Sequence, residues 1–415
     1  MKGSKNMRAE LIAVGTEILL GDIVNTNAQF LSKELASIGI DVYRQQVIGD
    51  NTERLLEVFD EAFKRSDIVI TTGGLGPTED DLTKETACKY FNMESVLHKP
   101  SEDDLNAYFK KIGKEMVQSN LKQVYFPKEA IVLKNDNGTA PGAILKKNNK
   151  YIVLLPGPPK EMKPMFLNYA KEHLSKLGDG VIVSKTLRVL GIGESGAAEL
   201  LQDLIETGSN PTIAPYAKED DVIFRITAKA ENKEKAEALI EPVKDEVKKR
   251  LGDNCYGEDD DTIETVVAEL LLKKKLTIST AESCTGGMIA SELISYPGIS
   301  EAFIEGAVTY ANEAKMRTLN VKKETLDKYG AVSEETAREM AEGIAKRVNS
   351  DVSVVTTGIA GPGGGTKDKP VGLVYIGVYY KGSVSVGRYV FFGDRYKVRR
   401  KATITALDLV RRTIM

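Results

Sequence analysis

The segment Ala281–Gly287, with Tyr310 and Lys315 a short distance downstream, holds the most chemically informative residues of the chain. The apolar run before it predicts a strand, so Ser283 falls in a strand-to-helix turn. A nucleophilic serine needs a base that accepts its proton. Both histidines of the chain lie N-terminal to this segment. We therefore expect a group other than imidazole, with Lys315 and Tyr310 as the candidates.

The predicted element order places Lys315 where a lysine can lose its charge. A strand ending near Tyr310 is followed by a helix that Asn312 can cap, so Lys315 falls in the first helical turn. The positive end of the helix dipole disfavours a cation there, and burial acts in the same direction. We expect a lowered pKa and a neutral amine that serves as the base, as in serine–lysine hydrolases. Gly286 and Gly287 leave backbone amides open for an oxyanion hole.

Two other interpretations of this segment stay open. In the first, Ser283 starts and caps a helix, Lys315 is a solvated helix lysine, and Tyr310 is a half-buried strand residue. In the second, the neighbouring Cys284 is the nucleophile, although no histidine follows it to form a thiolate–imidazolium pair.

A second glycine-rich element spans residues 356–366 and follows a β-branched run. It leaves the carboxyl edge of a predicted strand, where open sheets bind ligands, and its successive amides can form a nest for an anion. It lacks the Gly-Lys-Ser/Thr ending of a Walker A loop. Basic residues near the C-terminus, Arg399 among them, can neutralise a phosphate. A flexible connection and a solvated basic helix face are the alternative interpretations.

A comparable arrangement lies near the N-terminus. Residues 73–81, Gly-Gly-Leu-Gly-Pro-Thr-Glu-Asp-Asp, follow another predicted strand. Glycines let a phosphate approach backbone amides, and Asp80 and Asp81 can bind a hard divalent cation. Glu17, at a further strand end, adds a third carboxylate of the kind that metal-assisted phosphoanhydride cleavage requires. The alternative is that the two aspartates only favour a helix N-terminus. The substrate contacts that we predict in these loops are Gly74, Gly76, Thr78, Pro156 and Gly157.

Composition indicates the broad class of protein. The 415 residues are 42% hydrophobic and 28% charged, as in a globular protein of two or three domains. A formal net charge of −3 and the lack of a basic stripe give no support to binding of nucleic acid or an anionic membrane. No apolar stretch has the length of a membrane span, no signal peptide is visible, and the polar start before Met7 resembles an added extension. Three widely spaced cysteines favour a reducing cytoplasm over a disulfide framework.

The element patterns divide the chain into three predicted domains. Short β-branched runs alternating with amphipathic helices predict a parallel α/β domain over residues 1–170. Residues 171–256 predict a small α+β module. Its Gly-x-Gly-x-x-Gly string at 191–196 is interpreted as a turn, because it lacks the βαβ context of a dinucleotide site. Residues 257–415 predict a second α/β domain, entered through a solvated acidic linker at 257–261.

Together these residues closely resemble the bacterial CinA family, the competence/damage-inducible proteins, over essentially the whole chain after Met7. Segments 15–21, 73–81 and 156–161 are similar to the family's N-terminal domain, which has a molybdopterin-binding-like fold. The resemblance implies hydrolysis of ADP-ribose to AMP and ribose 5-phosphate, dependent on a divalent metal ion (Mg, Mn or Co) and K⁺. By position, Asp81 matches the functional aspartate of the molybdopterin relatives. The middle module resembles a KH-type domain.

The C-terminal third resembles nicotinamide-nucleotide amidase. The motifs that carry this resemblance are 281–287, 308–315, 330–333 and 358–362. The family's serine, tyrosine and lysine fall on Ser283, Tyr310 and Lys315. The resemblance implies conversion of nicotinamide mononucleotide to nicotinic acid mononucleotide and ammonia, with no cofactor in this domain, and a homodimer. The substrate contacts that we expect are Thr285, Gly286, Gly287, Gly358, Ala360, Gly361 and Arg399.

The sequence therefore predicts a bifunctional salvage hydrolase whose partners are small pyridine nucleotides and ADP-ribose. Ser283 would attack the carboxamide carbon, Lys315 would act as base, and Tyr310 would orient Lys315 or relay the proton. The glycine-rich loop would hold the phosphate. The alternative is a pterin- or nucleotide-binding competence protein that acts through protein contacts.

Overall fold

A computed structural model describes residues 7–178 and 180–415, so the extension before Met7 lies outside the described residues. The chain forms two compact units, one up to residue 183 together with 228–239, the other comprising 184–227 and 240–415. Within the described ranges, no helix combines the length and the apolar character needed to cross a bilayer.

The first unit is built on a six-stranded sheet of order β2-β1-β3-β8-β7-β6. Its strands are β1 Arg8–Val14, β2 Asp41–Ile48, β3 Ile68–Thr72, β6 Ile131–Leu133, β7 Gly142–Lys147 and β8 Lys150–Leu155, and a separate ribbon pairs β4 Ser95–Leu97 with β5 Tyr125–Pro127. Its helices are α1 Thr16–Leu19, α2 Thr26–Ala36, α3 Thr52–Arg65, α4 Thr83–Phe91, α5 Lys99–Lys111, α6 Pro159–Met165 and α7 Lys171–Ser175.

Parallel pairing in this sheet determines where the loops meet. Strands β2, β1, β3 and β8 run parallel to one another, whereas β7 pairs antiparallel with both β8 and β6. Apolar residues pack on both faces, with α2 and α6 on one and α3 and α4 on the other. The predicted α/β class is confirmed, with antiparallel edge strands as an addition. Because β1, β3 and β8 are parallel, the loops that follow them share one edge.

The middle module carries a four-stranded sheet of order β10-β11-β9-β12. Its elements are β9 Val181–Val189, α8 Glu194–Leu200, α9 Gln202–Thr207, β10 Thr212–Ala217, β11 Val222–Ala230, α10 Lys233–Leu251 and β12 Cys255–Glu258. The predicted acidic linker at 257–261 needs correction, because its first two residues belong to β12, which pairs with β9. Asp259 is also fixed, since its carboxylate accepts the Thr186 amide at 2.9 Å and pairs with Lys185.

The C-terminal domain is built on a five-stranded sheet of order β14-β13-β15-β16-β17. Its strands are β13 Ile278–Glu282, β14 Phe303–Val308, β15 Val352–Gly358, β16 Leu373–Tyr380 and β17 Ser383–Val390. Its helices are α11 Ile263–Lys274, α12 Met288–Ile294, α13 Asn312–Leu319, α14 Lys323–Tyr329, α15 Glu334–Val348 and α16 Arg395–Ile414.

This second sheet is mixed as well. β14, β13 and β15 are parallel, and β16 and β17 extend the sheet antiparallel. Helices α11, α12 and α16 cover one face, and α13, α14 and α15 cover the other. The segments after β13, β14 and β15 therefore lie along one carboxyl edge, which is where the predicted serine, lysine and glycine-rich loop fall.

We predict that Gly343→Ala destabilises the domain by displacing α13, the helix that carries Lys315. A Cβ on Gly343 in α15 would lie 1.9 Å from the carbonyl oxygen of Leu319, the last residue of α13. A backbone atom cannot move aside without moving its helix. We expect a loss of about 1–3 kcal/mol in the free energy of unfolding, measured by denaturant titration. Gly193→Ala, where a Cβ meets open space, is the matched control. Equal stability of both variants would contradict this account of the packing.

Candidate functional site

Three strand ends meet at the carboxyl edge of the second sheet. β13 lies between β14 and β15, parallel to both. The amide of Ser283, directly after β13, donates to the carbonyl oxygen of Thr356 in β15 at 3.0 Å. The amide of Thr309, directly after β14, donates to the carbonyl oxygen of Glu282 at 2.8 Å. The backbone around Ser283 is thus held from both sides.

The structure brings the side chains of Lys315 and Ser283 together. Lys315 Nζ lies 3.2 Å from Ser283 Oγ, 2.8 Å from the Thr309 carbonyl oxygen and 3.2 Å from the Tyr310 carbonyl oxygen. Lys315 is 1% exposed and Ser283 is 8% exposed. Burial lowers the pKa of the Lys315 amine below its ordinary value. No carboxylate pairs with it in the described part of the chain.

The three oxygens around Nζ limit how this lysine shares its protons. Two are carbonyl oxygens, which only accept, so they take two amine hydrogens in either charge state. The third direction faces Ser283 Oγ, to which an ammonium donates a hydrogen and a neutral amine presents its lone pair. In the neutral state the Ser283 hydroxyl donates to Nζ, which is the arrangement that general-base activation of a serine requires.

The turn after β13 is the predicted strand-to-helix turn, and Ser283 lies in it. The expectation that Ser283 itself starts a helix is wrong, because α12 begins only at Met288. Gly286 and Gly287, with φ of 64° and 95°, turn the chain in between. Such angles favour glycine, so the two glycines are explained by the backbone conformation of the turn. Asn312 also differs from expectation: it is the first residue of α13, and Ala311 occupies the cap position without a side-chain hydrogen bond.

The buried carboxylate of Glu282 organises this turn. It accepts hydrogen bonds from three backbone amides: Gly287 at 2.9 Å, Ile289 at 3.1 Å and Ala290 at 2.9 Å. The predicted use of the Gly287 amide in an oxyanion hole is therefore wrong, because that amide already has an acceptor. The amides of Thr285 and Gly286 donate to no acceptor among the described residues, and they remain available to a substrate oxygen.

Cys284 and Thr285 are structural neighbours of the serine. Burial raises the pKa of the Cys284 thiol to about 11, so the nucleophilic thiolate is scarce near neutral pH. This argues against the alternative in which Cys284 is the nucleophile. The hydroxyls of Thr285 and Thr356 share a buried hydrogen bond of 2.7 Å. A substrate can therefore meet Thr285 only through its backbone.

The phenol of Tyr310 points to a different partner than predicted. Its hydroxyl accepts a hydrogen bond from Arg395 Nη2 at 3.2 Å, and no hydrogen bond links it to Ser283 or Lys315 among the described residues. Tyr310 is 63% exposed. Lys315 is oriented by the backbone carbonyls of Thr309 and Tyr310. The exposed phenol, bonded to Arg395, can instead contact a ligand.

Arg399 and Arg400 are also engaged within the protein. The guanidinium of Arg399 donates to the carbonyl oxygens of Cys284 at 3.1 Å and Thr285 at 2.8 Å, so it braces the serine turn. Arg400 forms ion pairs with acidic side chains and is not free for a phosphate. Arg395, another basic residue near the C-terminus, contacts the glycine-rich loop, since its Nη1 donates to the Gly361 carbonyl oxygen at 2.7 Å.

The glycine-rich loop offers unused backbone donors. Gly358 ends β15, Ala360 is buried, and Gly361 has a φ of 84°. Within the residues that the structure describes, the amides of Ala360, Gly361 and 363–365 donate to no acceptor. Arg395 lies beside these amides. Unused backbone amides next to a guanidinium are the groups that bind an anion in proteins.

The first unit holds a separate cavity of about 500 Å³ at the carboxyl edge of its sheet. Seven of the predicted residues line it: Glu17, Gly74, Gly76, Asp80, Asp81, Pro156 and Gly157. The prediction for Thr78 is corrected, because Thr78 is not among the residues that line the cavity. It is exposed, and it donates its amide at 3.0 Å and its hydroxyl to the Asp81 carboxylate. The cavity thus gathers the three loops that follow β1, β3 and β8.

The acidic residues of this cavity do not form a preassembled metal cage. Among the described residues, no three His, Cys, Asp or Glu side chains converge as metal ligands. Asp81 is bound by Thr78, and Asp50 accepts the amide and hydroxyl of Thr16 at 3.1 Å. Asp80 is exposed, and its hydrogen bond with Thr78 lowers its pKa, so it stays a carboxylate near neutral pH.

Sequence reasoning missed several residues that shape the two sites. Lys122 donates to the carbonyl oxygens of Thr78 and Asp81, the former at 2.8 Å, and so pins the acidic turn from 41 residues away. Asn27 donates to the Gly157 carbonyl oxygen at 2.7 Å. No local motif announces either contact. Glu282 did carry a signal, because a carboxylate at the end of the buried strand 278–282 must find donors.

Comparisons with known proteins agree with this layout. Three family models match consecutive parts of the chain: Probable molybdopterin binding domain over 10–176, Damage-inducible protein CinA KH domain over 184–257, and CinA C-terminal domain over 260–414. These matches support an architecture of three domains.

Two full-length relatives carry the provisional name competence-damage inducible protein. The one from Clostridium perfringens (strain ATCC 13124) is 63% identical, covering 98% of this chain and 99% of its own. The one from Clostridium beijerinckii is 61% identical, covering 99% of this chain and 100% of its own. A solved competence-damaged protein (CinA) superfamily structure from Escherichia coli is 37% identical, with a TM-score of 0.36, over 39% of this chain and 96% of that one.

Proposed function

Because the chain belongs to the CinA family, we propose that its C-terminal domain is a nicotinamide-nucleotide amidase. The reaction is the deamidation of nicotinamide mononucleotide to nicotinic acid mononucleotide and ammonia. The observation that carries the proposal is the buried contact of 3.2 Å between Lys315 Nζ and Ser283 Oγ, with no carboxylate paired to the amine within the described residues. Acyl transfer needs this nucleophile and base, and the burial favours the neutral amine that can act.

In the proposed mechanism, Ser283 Oγ attacks the carboxamide carbon while its proton passes to Lys315 Nζ. The developing oxyanion accepts hydrogen bonds from the unused amides of Thr285 and Gly286. Collapse of the intermediate breaks the carbon–nitrogen bond, and the Lys315 ammonium returns the proton to the leaving nitrogen, which departs as ammonia. Water then attacks the Ser283 ester, Lys315 takes its proton and passes it to Ser283 Oγ, and the carboxylate product leaves.

The phosphate of the substrate would bind at the glycine-rich loop. The unused amides of 360–361 and 363–365 can surround the anion, and Arg395 can add charge-assisted hydrogen bonds. This assignment moves the basic contact from Arg399 to Arg395, because Arg399 braces the serine turn. The phenol of Tyr310, bonded to Arg395, then lies where it can contact the ligand.

Replacing Ser283 by alanine should abolish ammonia release from nicotinamide mononucleotide while the fold persists. The change removes one oxygen from a buried turn that is held by its backbone bonds, so the free energy of unfolding should change by only about 1 kcal/mol. Loss of the nucleophile should lower kcat at least about 1000-fold. Ser291→Ala, an exposed serine of α12, is the control and should retain activity. Near-full activity of Ser283→Ala would exclude the mechanism.

The rate should depend on pH through Lys315. Its pKa is lowered by burial, so the neutral base becomes populated at lower pH than for an ordinary lysine. We expect kcat/KM to rise with pH and to level off above an apparent pKa that lies below that of an ordinary lysine. Lys315→Arg should be inactive throughout, because a guanidinium stays protonated. A profile that falls as pH rises toward the pKa of an ordinary lysine would contradict the assignment of the base.

A second candidate function is hydrolysis of ADP-ribose in the N-terminal domain, favoured by the cavity where three glycine- or proline-rich loops meet. Its volume of about 500 Å³ suits part or all of a nucleotide. Glu17, Asp80 and Asp81 have the oxygen chemistry that hard divalent ions prefer, and a metal bound with substrate phosphates needs only one or two protein carboxylates. Such an ion, when bound, would neutralise charge on the phosphoanhydride.

Replacing Asp81 by asparagine should abolish formation of AMP from ADP-ribose in the presence of K⁺ and Mg²⁺, Mn²⁺ or Co²⁺. The change removes the negative charge while the amide oxygen can still accept from Thr78, so the turn should persist. Glu79→Gln, an exposed neighbour outside the cavity lining, is the control. AMP formation at the wild-type rate, or in excess chelator, would contradict the proposal. Binding of a pterin or nucleotide without turnover would favour the alternative of a binding protein acting through protein contacts.

A further inference from the structure

Helix α16 links the serine site to the middle module through its arginines. Near its start, Arg395 contacts the glycine-rich loop and Arg399 holds the carbonyls of the serine turn. Near its end, Arg412 donates to the Leu190 carbonyl oxygen at 3.2 Å and to Asn254 Oδ1 at 3.0 Å. Leu190 directly follows β9, and Asn254 ends a short 3-10 helix before β12, so α16 contacts both the serine site and the middle module.

Arg400 makes the most direct connection between them. Its Nε and Nη2 bind the carboxylate of Asp220 at 3.1 and 2.8 Å, and Asp220 lies in the hairpin between β10 and β11 of the middle module. Its Nη1 binds Glu292 in α12. The three side chains are 20%, 32% and 25% exposed, so water screens this network less than an ordinary surface pair.

Glu292 connects this network to the turn that carries Ser283. Glu292 lies in α12, and the first amides of α12 bind the carboxylate of Glu282, which directly precedes Ser283. Arg399, next to Arg400 on α16, holds the other side of the same turn. A shift of the hairpin would therefore act on the serine turn from two sides, through α12 and through α16.

We propose that the middle module is a positioning element of the serine site, and that the contact Asp220–Arg400–Glu292 transmits its position. This role of the module rests on the amidase function proposed for the Ser283 site. The module holds the nucleophile turn in the geometry that Lys315 requires. The acidic side chain of Asp220 acts on Ser283 through Arg400, by way of α12 and α16, so Asp220 is a positioning residue and touches no substrate.

The test compares Asp220→Ala with Glu219→Ala in the full-length protein. Glu219 is exposed, lies in the same hairpin and forms no ion pair within the described residues, so its removal changes the net charge equally without breaking the network. Arg400→Lys, which keeps the charge but cannot bind both carboxylates as the planar fork does, is the second variant. Should Asp220→Ala fail to fold, Arg400→Lys still tests the contact.

Two measurements decide the outcome. Hydrogen exchange of the backbone segment 283–294 should be about tenfold faster in Asp220→Ala and Arg400→Lys than in the wild type and Glu219→Ala. Ammonia release should show kcat reduced about three- to tenfold with KM nearly unchanged, because nucleophile alignment and not binding is affected. Unchanged exchange in both folded variants would overturn the coupling. If the wild-type protein releases no ammonia, the amidase proposal is refuted. The coupling is then tested by the hydrogen-exchange measurement alone.

Discussion

A buried amine surrounded only by neutral oxygens is the constraint on which the C-terminal site depends. Lys315 is 1% exposed, and its Nζ meets two carbonyl oxygens and one hydroxyl. Burial without a paired carboxylate costs the charged state more than the neutral one. The two carbonyls that accept hydrogen bonds from the amine also direct its remaining hydrogen or lone pair toward Ser283 Oγ. Position and pKa are thus set by one arrangement, and α13 must be packed closely enough to keep water away from it.

Much of this arrangement could be predicted from sequence because it depends on strand ends. Short β-branched runs revealed β13, β14 and β15, and parallel pairing then brings Ser283, the segment before Lys315 and the glycine-rich loop to one edge. The individual hydrogen-bond partners could not be predicted. Gly287 donates to Glu282, and Arg399 binds two carbonyls. These choices depend on side-chain directions that only tertiary packing determines, and residue types alone leave several partners possible.

The N-terminal site shows the same division between backbone and side chains. The edge formed by β1, β3 and β8 collects glycine, proline and acidic loops, as their order in the sequence indicates. Its Asp81 and Asp50 carboxylates, however, are bound by Thr78 and Thr16, and within the described residues no three acidic side chains converge. A substrate bearing phosphates could supply the missing ligands to a metal, whereas an all-protein metal cage would need side chains to move. Lys122, distant in sequence, fixes the turn that a substrate would meet.

The two ends of α16 bind the parts of the middle module, residues 184–227 and 240–257, that share one compact unit with the C-terminal domain. Arginine suits this position because its planar fork binds two acceptors at once and keeps its charge at any physiological pH. The Arg399 guanidinium binds two carbonyl oxygens of the serine turn. The Arg400 guanidinium binds carboxylates from two different elements. A lysine at either position would hold one partner and release the other. The turn that presents Ser283 is therefore restrained by a helix that is itself restrained by the middle module, and its geometry is a property of both.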